Sequence, residues 1–594
     1  MPHKIRIVGL CLGLGLALPA AAVDVNISVD LTKDNRAISP LIYGTNSDYL
    51  GAAEGVTFRR QGGNRLTGYN WENNASHAGV DWQHSSDAFL GGGTVPGKVV
   101  TDFHDKSLAS GIRSVITLPA AGYVSKDKNG TVSPAETAPS ARWAKVVFEK
   151  GSAFTATPDA GDANVFTDEL VDFLVKKYGR SGTDRGIGSY SVDNEPGLWP
   201  STHPRIHPDT PSCVEIVQKN AGLAAAVKKV DPQGEIFGGV FYGYGDFATF
   251  QGAKDWKAVE KKASDEKRPY TWFIDHFLEE MKKASDKEGK RLLDVLDIHW
   301  YSEAYGDKRV IDLSADSDKD RQARVQAPRS LWDSTYVETS WISKWATPKQ
   351  PVTDWNDPAP GPILLLPHLF SSIAKYYPGT RLAITEFNYG GGTHVTGGLV
   401  TADFLGVAGR MGVYAANYWP LEETPAYAAS AYRLFRNYDG KGSAFPGISA
   451  FASASDRTNA SVYAAFRSGG DALHVIVLNK HFTESMKAGF TLSSPVALTQ
   501  AQVFGFDNAG TALTERPAVA SIAGNAFTYQ VPPLSAYHFV IKAAGPLPTS
   551  IRFPGLRPLG GRVPGHPEPA YRLDGRSVPD PGPPGAKFRA FHRR

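Results

Sequence analysis

Cysteine is almost missing from these 594 residues: the chain has two, Cys11 in an apolar N-terminal stretch and Cys213 far downstream. Removal of that stretch leaves Cys213 alone, so no intrachain disulfide forms and stability rests on core size. Long apolar runs are also scarce, and none after the N-terminus is long enough to span a bilayer, which speaks against a membrane partner. Excess charge is missing too. Lys plus Arg number 63 against 60 Asp plus Glu, a net +3, so there is no broad basic field for nucleic acid. The positive excess sits in residues 545–594, where Pro, Gly and Arg dominate without periodicity and disorder is expected. No internal repeat is evident.

What is present begins with an export layout. MPHKIR is basic, IVGLCLGLGLAL is apolar and PAAAVD offers a small-residue exit, which together predict a signal peptide over 1–22. Bulky Leu10 before Cys11 argues against lipoprotein processing. A secreted or periplasmic, soluble and monomeric protein is expected.

From Leu41 to Trp419, β-rich runs alternate with helical patterns, the signature of βα units. Strands are predicted at 41–46, 56–61, 113–119, 188–195, 235–241, 294–301, 382–388 and 413–419. Helical periodicity marks Phe166–Gly179, Cys213–Val230 and Tyr270–Ala284. The fold class is therefore α/β, a (β/α)8 TIM-like barrel over 38–425. Beyond Pro425 the period changes to two, in runs such as SVYAAFRS, ALHVIVLNK and YHFVIKA, which predicts an antiparallel β-sandwich over 426–544. The strand-like segment within 23–37 is expected to pair into that sandwich.

A barrel of this kind carries its chemistry at the C-terminal ends of its strands. The fourth predicted strand ends in Asn194-Glu195, the sixth in His299-Trp300-Tyr301, and the seventh carries Glu386. Strands four and seven lie across the barrel mouth, so two carboxylates face one another, as glycosidic bond hydrolysis requires. Taken alone, Asp193-Asn194-Glu195-Pro196 also reads as an ordinary strand-end turn. All twelve Trp lie between Trp71 and Trp419. Trp199, Trp300 and Trp419 fall at strand ends, where ring faces suit sugar C–H surfaces. Trp82, Trp143, Trp256 and Trp272 are expected in the core.

The motifs ISPLIYGTNSD, GGNRLTGYNWENNASHAGVDW, SVDNEPGLWPSTHPRIHPD, DIHWYSEA, RVQAPRSLWDSTYVETSWI, ITEFNYGGGTHVTGG, GVYAANYW and RNYDGKG follow in order through Val23–Ala544. In them the chain resembles glycoside hydrolase family 44, bacterial endoglucanases and xyloglucanases with a barrel plus a β-sandwich. The resemblance implies a retaining endo-β-1,4-glucanase with Glu195 as general acid/base and Glu386 as nucleophile. Asn194 suits the substrate 2-hydroxyl, and His299 or Tyr301 suits support of an ionised Glu386. Trp71, Glu72 and Asn73 are expected to line the cleft, with Trp419 as a stacking position. Trp341 and Trp345, one helical turn apart, suit either sugar stacking or core packing of one helix face. Asp193 reads as structural. No cofactor is expected for catalysis, and a structural calcium is allowed for without assigned ligands.

Other readings stay in view. His203 and His207 are four apart, but Pro204 and Pro208 break any helix and HExxH is absent, which disfavours a zinc peptidase. Gly390–Gly392 lacks a phosphate-loop Lys and instead suits close backbone passage by Glu386 or sugar. A mannanase or xylanase on the same barrel, or a barrel that binds polysaccharide without cleaving it, remains the alternative.

Overall fold

The computed structural model describes residues 22–155, 157–347, 354 and 357–549. Residues 1–21 of the expected signal segment and 550–594 of the expected tail lie outside the described residues. At the start of the tail Leu547 is buried and its N–H donates to Gly470 O at 2.8 Å, so the disorder expected from 545 does not hold there.

The first strand, β1 (Ala22–Asp30), bypasses the barrel. The next eight barrel-forming strands close in chain order: β2 (Gly44–Thr45), β3 (Phe58–Gln61), β4 (Arg113–Leu118), β5 (Ser189–Val192), β6 (Glu235–Phe241), β7 (Val295–Tyr301), β8 (Arg381–Asn388) and β9 (Ala415–Tyr418). Adjacent strands pair in parallel all the way round. All eight predicted strands are present. The first is the shortest, because Pro40–Ile42 forms a 3-10 turn capped by the Ser39 hydroxyl rather than extended chain. β6 is buried at every position, and β7 and β8 at nearly all, as expected of parallel strands covered on both faces.

Leu41, Phe58, Val115, Phe237, Val295, Ala383, Tyr414 and Ala415 pack together as an apolar layer within the barrel. Beside it Glu235 is buried with Arg381 at 2.8 Å, Arg113 at 3.7 Å and the Tyr414 hydroxyl at 2.9 Å. Burial opposes its charge, but the two guanidinium groups outweigh burial and hold the carboxyl at about 2.

The barrel helices used below are α1 (Lys98–Ala109), α2 (Thr167–Tyr178), α3 (Cys213–Val230), α4 (Tyr244–Thr249), α5 (Phe273–Glu288), α6 (Leu365–Tyr376), α7 (Val395–Met411) and α8 (Ala426–Arg436). In α2, Leu170, Val171, Leu174 and Tyr178 form the buried stripe that its periodicity predicts. Only a 3-10 turn, Ala52–Glu54, stands as helix between β2 and β3. Among the described residues no helix is long and apolar enough to cross a membrane.

The second layer contains β10 (Ile448–Ala454), β11 (Ala460–Phe466), β12 (Ala472–Asn479), β13 (Ser485–Ser493), β14 (Leu498–Asp507), β15 (Gly510–Val519), β16 (Ala526–Val531) and β17 (Ser535–Ala543). Their order is β15-β14-β17-β12-β11-β10-β1-β13-β16. One pairing departs from the antiparallel expectation: β1 runs parallel to β13 from Ala22↔Ser485 to Asp30↔Ser493. β1 is separated from β13 by the entire barrel, so no hairpin dictates its direction. Its alternate residues Val25, Ile27 and Val29 are buried, which fixes the register.

Barrel and sandwich share one core. Tyr463, Ile476, Leu478, Phe506 and Ala536 belong to the same buried cluster as Leu405 of α7 and Leu434 of α8. The Tyr463 hydroxyl donates to Asp403 of α7, and Lys480 lies 3.4 Å from that carboxylate, all buried. His474 Nδ1 meets His538 Nε2 at 2.9 Å, and His538 Nδ1 donates to the Leu434 carbonyl at 2.8 Å.

Candidate active site

β5 stops at Val192, and the chain turns sharply. Asp193 (φ 58°) and Glu195 (φ 43°) both adopt left-handed backbone around Asn194. Non-glycine residues held there cost about 1–3 kcal/mol each, so the surroundings must hold the turn. The buried Asp193 carboxylate does part of this. It accepts from Thr67 Oγ1 (2.6 Å), Asn194 N (2.7 Å), Ala121 N (2.8 Å) and Ala120 N. Burial raises its pKa, and those donors work against burial. Asp193 is therefore a structural clamp between the loops after β3, β4 and β5.

On the other side of the turn, the Glu195 N–H donates to Val240 O at 3.1 Å. Val240 itself sits at φ 49° within a bulge of β6, an unusual backbone for a β-branched residue.

Glu386 on β8 lies beside His299 and Tyr301 of β7, in a register shifted by a bulge after Ile298. Tyr301 donates its hydroxyl to Glu386 Oε2 at 2.7 Å. His299 Nδ1 lies 2.8 Å from Glu195 Oε1 and 3.5 Å from Glu386 Oε2. One oxygen of Glu195, one of Glu386 and a His299 nitrogen all lie within 4.8 Å of one another. The structure thus joins Asn194, Glu195, His299, Tyr301 and Glu386 at one mouth of the barrel.

Arg60 on β3 joins them, a residue that the motifs do not mark. Its buried guanidinium donates from Nη1 to Glu386 Oε1 at 2.6 Å and from Nη2 to Asn194 Oδ1 at 2.8 Å. Asn194 Nδ2 faces Asn64 Oδ1 at 3.3 Å, and Asn64 in turn bonds Asp81 at 3.1 Å. A signal for Arg60 exists in VTFRRQ, since an Arg in a strand of a closed barrel needs a buried acceptor.

Burial pushes the Glu195 carboxyl up to about 7, opposed by Arg60 and reinforced by the Asp81 carboxylate. Glu195 still leaves 15% of its side chain open to solvent. Burial pushes His299 down to about 3, against the pull of Glu386, so its imidazole is neutral, with Nδ1 in hydrogen-bond contact with Glu195 Oε1. This trio does not suit calcium, which takes six to eight oxygen ligands. One of its donors is an imidazole nitrogen, and the Arg60 cation already lies 2.6 Å from Glu386.

Several expected cleft residues stand elsewhere. Trp71 is buried, with Nε1 donating to Phe166 O at 3.2 Å and its ring 5.8 Å from Phe173, so it has no free face for sugar. Glu72 is buried and faces Asp162 and Glu169; burial and then these carboxylates push it up to about 8, against Lys150. Asn73 spends its amide on the loop, donating to Lys126 O at 3.0 Å and accepting from Ala75 N at 2.8 Å. Trp199 is fully buried, and its Nε1 donates to Asn194 O at 3.0 Å, a prop for the turn rather than a wall. Trp300 is buried as well.

The remaining aromatics divide. Trp341 is 48% exposed, edge-on to Tyr244 at 5.7 Å, with Nε1 3.3 Å from Glu303 Oε2. Trp345 is half-buried against the core. Trp419 is half-buried beside Gly63, where a side chain on Gly63 would strike its ring. Trp143, Trp256 and Trp272 are buried as expected, but Trp82 is 61% exposed. Trp82 closes a 3-10 turn that packs on the loop after Glu195, so its ring projects outward.

The Gly390–Gly392 backbone passes over the buried Arg324 guanidinium and Glu422, not over Glu386. His207 pairs with Glu215 at 2.9 Å, and His203 is buried with Nδ1 3.0 Å from the Thr202 hydroxyl, an arrangement without metal geometry.

Comparison with known proteins agrees with this geometry. The model of glycoside hydrolase family 44 matches residues 75–304. Endoglucanase A of Paenibacillus lautus is 50% identical over 534 residues, 88% of this chain and 73% of that protein. A family 44 xyloglucanase structure from Paenibacillus polymyxa is 46% identical with a TM-score of 0.82, covering 88% of this chain and 100% of that one. A family 44 endoglucanase from Clostridium thermocellum gives 47% and 0.82 over the same shares of the two chains. An ordered barrel, its paired carboxylates and relatives at this identity carry one conclusion: the chain belongs to glycoside hydrolase family 44.

Proposed function

We propose that this hydrolase cleaves internal β-1,4 bonds of cellulose-type glucan, xyloglucan or both, with retention of anomeric configuration. The observation that carries retention is the approach of Glu195 and Glu386, with oxygens within 4.8 Å across the barrel mouth, and the family 44 relatives support the glucan substrate. Retaining enzymes hold their carboxyl groups about 5–5.5 Å apart and inverting ones about 6.5–9.5 Å.

Glu195, protonated up to about 7, gives its proton to the leaving oxygen. Glu386 receives hydrogen bonds from Arg60 and Tyr301, the surroundings of an anionic nucleophile, and its oxygen attacks the anomeric carbon. Glu195, now ionised, then takes a proton from water as that water releases the sugar from Glu386. Arg60 occupies Asn194 Oδ1 and Asn64 takes one amide N–H, so the second N–H is the donor left for a sugar 2-hydroxyl. Trp341 and Trp419 are the stacking positions whose rings are not fully buried.

The site is complete within one chain, which supports action as a monomer. The basic, apolar and small-residue order of the N-terminus supports secretion or periplasmic export. Structural calcium is assigned no ligands.

Product analysis on xyloglucan, carboxymethylcellulose, mannan and xylan tests the substrate, with NMR following the first anomer. Internal cleavage of the glucans with β-anomer released first is expected. Preference for mannan or xylan would move the substrate assignment, and an initial α-anomer would sink the two-step mechanism.

A further inference from the structure

Asp246, on α4 after β6, is fully buried yet has no cationic partner within hydrogen-bonding distance among the described residues. Its Oδ2 accepts from Tyr242 N at 3.2 Å, while Oδ1 has no hydrogen-bond partner among the described residues. That free oxygen is aimed at the turn after Glu195. It lies so close to Gly197 that any side chain there would collide with it. A buried carboxyl without a cation is costly, and such groups concentrate where a site uses them.

The turn it touches needs holding. Asp193 and Glu195 are left-handed, and on the β6 side Glu195 is anchored through its N–H to Val240 O, itself in a bulge. Asp193 braces the turn toward β3 and β4, whereas Asp246 stands between the turn, at Gly197, and the end of β6, at Tyr242. The carboxyl accepts from Tyr242 N through Oδ2 and sets Oδ1 against Gly197; an amide would turn an N–H2 toward one of them.

We propose that Asp246 is a positioning residue for proton donation: wedged between Tyr242 and Gly197, it fixes the turn that aims Glu195 at the leaving-group oxygen. It touches no reacting atom. The inference rests on the reading of Glu195 as the proton donor, and the experiment separates the two.

Values of kcat/KM are measured for the parent, Glu195→Ala, Asp246→Ala and Asp246→Asn enzymes on aryl β-cellotriosides. The leaving groups run from 2,4-dinitrophenol to phenol. A dinitrophenolate leaves without help, whereas phenolate needs a proton. Glu195→Ala should lose little on the first and about 10²–10⁴-fold on the last, the span of general acid catalysis. Asp246→Ala should show the same slope at smaller size, about tenfold on the phenyl glycoside, with Asp246→Asn between it and the parent. A uniform loss across the series, or none, in the Asp246 variants overturns the inference. If Glu195→Ala itself loses uniformly, the donor assignment fails instead. Should Asp246→Ala not fold, Asp246→Asn carries the same comparison.

Discussion

Arg60 and Glu386 form a buried ion pair, with Nη1 and Oε1 2.6 Å apart, and the same guanidinium fixes the amide of Asn194 from its other nitrogen. One side chain on β3 thereby sets the relation between the turn after β5 and the carboxylate of β8. A planar fork does this where an ammonium cannot.

Replacing that fork is expected to cost activity before it costs the fold. Arg60→Lys keeps the charge but reaches only one partner, so kcat/KM on glucan should fall by about 10²-fold or more. Arg60→Met leaves Glu386 without its cation and should also destabilise by about 3–5 kcal/mol. Steady-state kinetics alongside denaturant melts separate the two effects.

The pH profile follows from Glu195. Its carboxyl must carry a proton to act, and burial sets its pKa at about 7, so kcat/KM should fall as pH rises through about 7. The Asp81 carboxylate contributes to that elevation, so Asp81→Asn should move the alkaline limb to lower pH, by less than about one unit. A limb that stays in place in this variant would remove Asp81 from the electrostatics of the site.

The tryptophans give a sharper contrast than their number suggests. Trp71→Ala empties a buried position and should cost about 3–5 kcal/mol of stability, with weakened activity as a consequence. Trp341→Ala removes a half-exposed ring and should leave the melting temperature nearly unchanged while raising KM on polymer by about tenfold. Measuring both quantities in both variants distinguishes core from cleft.

How far the sequence reaches is visible in these same residues. The eight strands are legible because parallel barrel strands are apolar along their whole length, and Glu195 and Glu386 because they end such runs with acids. Arg60 escapes because its partners lie 134 and 326 residues away in sequence, and no spacing rule connects them. Trp71 and Glu72 mislead because position after a strand gives no direction: their loop folds inward against Phe166, Phe173 and the acidic segment near Asp162. Trp82 errs the other way, since it lies in a 3-10 turn whose glycine, not its tryptophan, makes the tight contact. The parallel seat of β1 depends on a strand more than 400 residues on, beyond any local pattern.

The barrel–sandwich seam contributes a loss of stability on mild acidification, while buried carboxyls with raised pKa, Glu72 and Glu195 among them, contribute the opposite. Burial pushes His538 down to about 4 from 6.5, and His474 is held well below its ordinary value by burial and by His538. Below about pH 6.5 the unfolded chain takes up protons that the folded seam refuses, so the stabilisation present at pH 7 is lost as pH falls toward 4. For His538 alone this amounts to about 3 kcal/mol across that window. Melting temperatures of the parent and His538→Asn at constant ionic strength between pH 7 and 4.5 check it: the parent should lose more on acidification, and equal pH dependence in the two would mean that the pair is solvated.

The central claim is that Glu386 becomes covalently bound to sugar while Glu195 handles the proton. Incubation with 2-deoxy-2-fluoro-β-cellotriosyl fluoride, followed by peptide mass spectrometry, tests it most directly. The expected result is one added fluorosugar on the peptide that carries Glu386, with activity lost in step. Labelling of a different carboxylate, or turnover of the reagent to an inverted product without any adduct, would contradict it.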